Sequence, residues 1–299
     1  MEKYITYEEE YDFFIAMSDY NGTSLDNKEA LGIRFVLVFI EKGSGIATLD
    51  SHPIPYIAPC LFCVNEKEHI VIEETEHSKI RAIFFAPCII NSFLNYDNIR
   101  CLPPDAPFTL VQDNNLIQYF LVRKDTYRGK FNLGPVSEKK FVRALSEINK
   151  LLSEQTTNWP CKSRSYLIEL LFFIDKLFET GNFSHDTYID TLNDDFQPIL
   201  LYIYHNYDKK ITINEIIKQF HLSRTTLSKM FQANLGETYL SYLNKLRITI
   251  ASTMLRDTML PVSEIMLRVG FHDSAHFLRT FKKYTTLSPS AYREEYCWM

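Results

Sequence analysis

The spacing of hydrophobic and polar positions changes character twice along the chain. Up to about residue 110, short apolar runs alternate with turn signals. Stretches 34–40, 46–49, 61–64, 69–72 and 79–85 are rich in β-branched and aromatic residues and predict strands. Between them lie Lys42-Gly-Ser-Gly45, Asp50-Ser-His-Pro53 and Asn65-Glu-Lys-Glu68, which predict turns. Several short strands at this spacing predict a small β-barrel or jelly roll, an architecture whose interior often encloses a ligand cavity.

From about 137 to 180 the period becomes helical. Phe141, Leu145, Ile148, Leu151 and Leu152 form one stripe, and Leu167, Leu170, Leu171, Ile174, Leu177 and Phe178 form a second, with Trp159-Pro160 between the two helices. Ile168, Phe172 and Phe173 lie off the second stripe. That helix therefore either packs wholly within its own domain or offers a face to a second chain. Residues 181–195 lose periodicity and carry four aspartates, the pattern of a solvated linker, and everything beyond reads as helix. The domains expected are 1–136 (a sensing β domain), 137–180 (a helical dimerisation segment), 181–195 (a linker) and 196–299.

Charge sharpens this division. Residues 196–299 hold 13 basic and 8 acidic side chains, net +5, while residues 1–195 hold 19 and 29, net −10. A basic module joined to an acidic one suggests that only the carboxyl part meets a polyanion. There is no run of about 18 apolar residues, and the amino end is acidic where a secretion signal would be basic and then apolar, so a cytoplasmic protein with no membrane partner is expected. Of six cysteines only Cys60 and Cys63 have a metal or redox spacing. An odd separation in a strand sends their side chains to opposite faces, so packing thiols are expected rather than a metal site.

The carboxyl hundred residues contain a repeat. A shift of 50 positions aligns Ser223 with Asp273, Leu227 with Phe277, Lys229 with Arg279, Phe231 with Phe281 and Tyr242 with Tyr292. Ser223 and Asp273 are good helix N-caps, and each is preceded by a short helix. Thr212-Ile-Asn-Glu215 is a capping box opening 213–220, and Pro261 precedes 262–269. Short helix, tight turn and capped second helix make a helix-turn-helix, whose second helix enters the DNA major groove. Between the two motifs, 237–258 is a helical run of about 33 Å. That is close to one turn of B-DNA, roughly 34 Å, so the two recognition helices can reach successive major grooves.

The string from Val269 to Arg293, with Gly270-Phe271, Phe277, Phe281-Lys282, Ser288-Pro289 and Tyr292-Arg293, resembles the signature of the AraC/XylS family of bacterial transcription regulators. Leu222-Ser223, Leu227, Phe231, Gly236, Leu243, Leu246-Arg247 and Ala251 extend the resemblance over about 196–296. For the amino part the match is architectural only. The resemblance implies an α+β fold, with an amino-terminal cupin-like β-barrel and helical dimerisation segment, then an all-α domain of two helix-turn-helix motifs joined by a long helix. It also implies a homodimeric activator that meets double-stranded promoter DNA, RNA polymerase and a small-molecule effector. Ile217 and Met266 depart from a usual alanine. Thr286 replaces a usual glycine, so that helix end is expected to be built differently.

In the first recognition helix Arg224, Thr225, Ser228 and Lys229 face away from Leu227, Met230 and Phe231. In the second, Ser274, Ala275, His276 and Arg279 occupy the same face, with Lys282 and Lys283 placed for phosphates. His272 and His276 find no further ligands, and His52, His69 and His77 lack metal-cupin spacing, so neither metal nor cofactor is expected. Arg34, Tyr56 and His69 are the candidate effector contacts, within a lining of Phe35, Leu37, Phe62 and Phe84. The leading reading is a transcription regulator and not an enzyme. Its alternatives are a barrel enzyme, a DNA-repair or sensor protein using a reactive cysteine, and a regulator governed by a protein partner.

Overall fold

The computed structural model describes residues 6–8, 13–29, 34–75, 77–124, 127–179 and 195–297. Its amino-terminal part contains β1 (Thr6–Glu8), β2 (Phe13–Ile15), β3 (Met17–Gly22), β4 (Leu25–Asp26), β5 (Phe35–Lys42), β6 (Ser44–Leu49), β7 (His52–Ile57), β8 (Cys60–Val64), β9 (Ile70–Ile72), β10 (Lys79–Phe85) and β11 (Lys130–Asn132). The five predicted strands are present as β5, β6, β8, β9 and β10. β7 begins inside the predicted turn Asp50-Ser-His-Pro53 and runs on to Ile57. It is an edge strand, where a missing N–H leaves no ladder bond unmade.

Besides a two-stranded β1-β2 ladder, two larger antiparallel sheets result, a five-stranded one in the order β11-β8-β5-β10-β3 and a four-stranded one in the order β4-β9-β6-β7. They are not closed into the expected cupin-like barrel, because among the described residues no ladder joins an edge of one sheet to an edge of the other. Strand period then decides where each side chain goes. In β5, Val36, Val38 and Ile40 face the second sheet, whereas Phe35, Leu37 and Phe39 face a helical layer. Both faces are buried, which is why this strand reads as a continuous apolar run.

That helical layer includes α1 (Phe108–Asn115), α2 (Gln118–Leu121), α3 (Pro135–Glu154) and α4 (Trp159–Glu179). The predicted stripes of α3 and α4 are buried against the sheet, with Phe39 and Phe141 stacked at 5.8 Å between ring centroids. Phe172 is 58% exposed on α4, while Phe173 is buried. Cys60 and Cys63 are buried thiols on opposite faces of β8, as strand parity requires; burial pushes the Cys63 thiol up. The expected linker lies outside the described residues except Asp195.

The carboxyl part is entirely helical: α5 (Gln197–Asn206), α6 (Ile213–Gln219), α7 (Arg224–Leu235), α8 (Tyr239–Asp257), α9 (Val262–Arg268), α10 (Ser274–Thr285) and α11 (Pro289–Tyr296). It has two cores rather than one. Tyr239, Tyr242 and Leu243 of α8 belong to the first with Phe231, and Ile248, Ala251 and Leu255 of the same helix belong to the second with Phe281. A single helix thus forms part of both motifs.

Candidate nucleic-acid interface

The repeat in the sequence is a repeat of geometry. Ser223 Oγ accepts from the backbone N of Thr226 at 3.0 Å, and Asp273 Oδ1 accepts from that of His276 at 2.5 Å, so α7 and α10 begin on equivalent caps. Behind them, Phe231 meets Tyr242 at 6.1 Å and Phe281 meets Tyr292 at 5.5 Å between centroids. Thr238 and Ser288, again 50 apart, cap α8 and α11 through Ser241 N and Ala291 N, each at 3.2 Å. Thr212 and Glu215 form the expected capping box of α6.

The turns differ by one residue. In the second, Gly270 has φ +81°, and a Cβ there would lie 2.8 Å from the Asp208 carbonyl and 2.9 Å from Arg247 Nη2, so only glycine fits. Arg247 fixes this corner: it is buried, donates to the carbonyls of Tyr207 at 2.7 Å and Lys209 at 2.6 Å, and lies over Phe271. Arg293 is likewise structural, donating to the carbonyl of Leu260.

Thr286 corrects an expectation. It does not rebuild its helix end but takes the same left-handed conformation as Gly236, φ +67° in both, with its N–H on Lys282 O as Gly236 bonds Gln232 O. The repeat's closed ends impose that geometry, and the threonine bears the strain. The bridging helix is also shorter than its sequence pattern. Thr238 is its cap and Thr258 is extended, leaving 19 residues, about 28 Å.

All ten sequence-selected side chains are exposed: Arg224, Thr225, Ser228 and Lys229 on α7, and Ser274, Ala275, His276, Arg279, Lys282 and Lys283 on α10. Leu227, Phe231, Phe277 and Phe281 point inward on the same helices. Arg224, Lys229 and Arg279 form no ion pair with any described residue. By contrast Arg268, on α9, is bound to Glu264 at 2.7 Å. Cationic groups left unneutralised on one face of a capped helix can meet phosphates or base edges. Leu278 escaped the sequence reading, although it sits three residues after Ala275 and is 46% exposed. An apolar side chain among donors suits a thymine methyl.

The amino-terminal candidates are not brought together. Tyr56 is wholly buried between the sheets, edge-on to Phe62 at 6.5 Å, and burial pushes its hydroxyl up to about 12. His69 lies just before β9, 2.7 Å from Asp26 at the end of β4. Arg34 precedes β5 and acts electrostatically on Tyr96, on the helical side. The expected lining divides in the same way, with Phe35 and Leu37 toward the helices and Phe62 and Phe84 toward the second sheet. Among the described residues there is no group of three or more His, Cys, Asp or Glu that could hold a metal. No helix of the described residues is long and apolar enough to cross a membrane.

A family model described as a helix-turn-helix domain matches residues 216–295. The chain is 27% identical over 158 residues to the lactose operon transcription activator of Staphylococcus xylosus, covering 53% of this chain and 55% of that one. It is 33% identical over 96 residues to the melibiose operon regulatory protein of Escherichia coli (strain K12), covering 32% of each. Against the HTH-type transcriptional activator RhaS of Pectobacterium atrosepticum it is 21% identical over 262 residues, covering 87% of this chain and 85% of the other. The chain spans about half the length of the first of these relatives. All three are named as regulators.

Proposed function

We propose that the chain is a transcription regulator of the AraC/XylS family that binds promoter DNA sequence-specifically and activates transcription, since residues 216–295 match a helix-turn-helix family model and its relatives are named as transcription activators. The two recognition helices, α7 and α10, enter successive major grooves. Arg224, Lys229 and Arg279 donate to guanine edges, and Thr225, Ser228, Ser274, Ala275 and His276 make the smaller base contacts. Lys282 and Lys283 lie on phosphates. The observation that carries this reading is the duplicated capped helix with an exposed, unneutralised basic face. The amino-terminal domain of 1–136 senses a small molecule, 137–180 dimerises through the exposed side of α4 around Phe172, 181–195 links the domains, and RNA polymerase is the downstream partner in the cytoplasm.

Hydroxyl-radical footprinting of the full chain on DNA from upstream of its own gene tests this. Two protected backbone segments on one face of the duplex, about one turn apart, are expected. A single protected half-site overturns the bipartite reading.

A further inference from the structure

Two contacts between the domains stand out among the described residues. The first is α5 on β6 and β7, where Ser44 Oγ meets His205 Nε2 at 2.9 Å and Ile57 packs against the first carboxyl-domain core. The second is the end of α8 on the start of α3, where Ser137 donates to Asp257 through its hydroxyl at 2.5 Å and its backbone N at 3.2 Å. Between these contacts lies a half-enclosed cavity of about 230 Å³ with walls from both domains. The inter-sheet interior, by contrast, is occupied by its own side chains: Val38, Tyr56, Phe62, Ile72 and Phe84 are each at most 1% exposed.

The geometry points to this interdomain cavity as a binding site for a neutral, hydroxyl-bearing molecule built on a single six-membered ring. Three features of the wall define that class. Size comes first, since the cavity corresponds to about eight waters at their share of liquid volume, room for one substituted ring. Shape and polarity come next, since Tyr204, Tyr207 and Tyr242 supply flat apolar faces, while Asn132 supplies an amide and Thr249 and Thr253 supply hydroxyl oxygens that accept from a ligand, their own protons being donated to the carbonyls of Lys245 and Ile250. Charge is the third, because the wall's two lysines are already engaged. Lys130 donates across the sheets to the carbonyl of Pro55, and Lys245 faces Glu237 at 3.9 Å. Glu138, on the same wall, repels an anion.

A ligand held by both domains binds tightly only while they are docked, so its occupancy is linked to the disposition of α8 and of both recognition helices. That consequence, unlike the site itself, rests on the regulator reading above.

The test is calorimetric titration of the full chain with D-galactose, myo-inositol and resorcinol, and with D-galacturonate as the charged counterpart. It is repeated on Thr249→Phe, which fills the cavity, and on Asn132→Ala, which removes one polar group and leaves the space. At least one neutral ring is expected to bind with a Kd below about 1 mM, weakened tenfold or more by Thr249→Phe and less by Asn132→Ala. Binding by the saturated rings, galactose and inositol, or by the aromatic resorcinol alone tells the two sources of a hydroxylated ring apart. Three results overturn the proposal: no neutral ring binds, galacturonate binds better than all of them, or the wild-type affinity survives in Thr249→Phe. DNA binding by each variant without a ring compound is measured alongside. Its loss in the wild type refutes the regulator reading while leaving the calorimetric result to stand or fall separately.

Discussion

Gly134 offers a way to strike the interdomain contact from one side only. It precedes α3 with φ −99°, a conformation open to any residue, so alanine there carries no backbone strain. Its cost arises across the boundary, because the new Cβ would lie 2.5 Å from Asp257 Oδ2 and 2.6 Å from the Cβ and Cγ of Asp257. Overpacking of this kind costs about 1–3 kcal/mol. Asp257→Ala acts from the other side and costs more. It removes the carboxylate that Arg256 Nε contacts at 2.5 Å, with both side chains 0% exposed, and breaking a buried pair costs about 3–5 kcal/mol. Ser137→Ala deletes a hydrogen bond to that carboxylate, about 1.5–3 kcal/mol. Urea unfolding of the full chain, followed by circular dichroism and calorimetry, is expected to rank the variants Asp257→Ala, then Ser137→Ala and Gly134→Ala together. In each, the amino and carboxyl domains are expected to unfold in transitions further apart than in the wild type. If Gly134→Ala stays within about 0.5 kcal/mol of wild type and the transitions do not separate, α8 does not dock on α3 in solution and the reasoning fails.

Thr286→Gly relieves a left-handed β-branched residue and is expected to raise the stability of the carboxyl domain by about 1 kcal/mol, while Gly236→Thr lowers it by a similar amount; equal and negligible effects in thermal melts would refute the strain. Tyr56 has its hydroxyl held up at about 12 by burial. Because the folded value lies above the unfolded one, its contribution is complete below pH 10 and is lost as pH rises toward about 12. Alkaline titration of tyrosinate absorbance is expected to lose one of its several late-ionising components in Tyr56→Phe, since burial also pushes the hydroxyls of Tyr96, Tyr127 and Tyr239 up. Phe172→Asp is expected to shift the full chain from dimer to monomer in sedimentation velocity, and an unchanged dimer moves the interface elsewhere.

What was legible in the sequence follows from which forces act locally. The caps at Thr212, Ser223 and Asp273 bond backbone only three residues away, so a short window of sequence contains both partners. Strand parity placed Cys60 and Cys63 on opposite faces because it needs no knowledge of neighbouring strands. Parity alone does not say which face meets what, and Phe35 and Phe62 were therefore assigned to one cavity although they occupy two different layers. The start of β7 is hidden because Asp50-Ser-His-Pro53 reads as a turn, whereas an edge strand tolerates both Pro53 and Pro55. The Asp257–Ser137 contact joins residues 120 apart, and the cavity beside it is formed only when two domains meet. Neither leaves a periodic trace. Leu278 was missed for a simpler reason: a leucine in a helical pattern reads as core, and only the fold shows that its turn faces outward.

In the proposed function α7 and α10 both meet DNA, and the salt dependence of binding tests this directly. Binding of the full chain to its upstream DNA is titrated against salt for the wild type, Lys229→Ala, Arg279→Ala and the double variant. Where the lost side chain contacts a phosphate, the slope of log K against log salt should fall by about 1. Where it contacts a base, affinity should drop by about 1–3 kcal/mol with relaxed sequence preference at one position. The account predicts that each single variant weakens binding by one of these routes and that the losses add in the double variant, since the motifs have separate cores. If one substitution leaves affinity, slope and preference all unchanged, its recognition helix does not meet DNA, and the bipartite account is wrong.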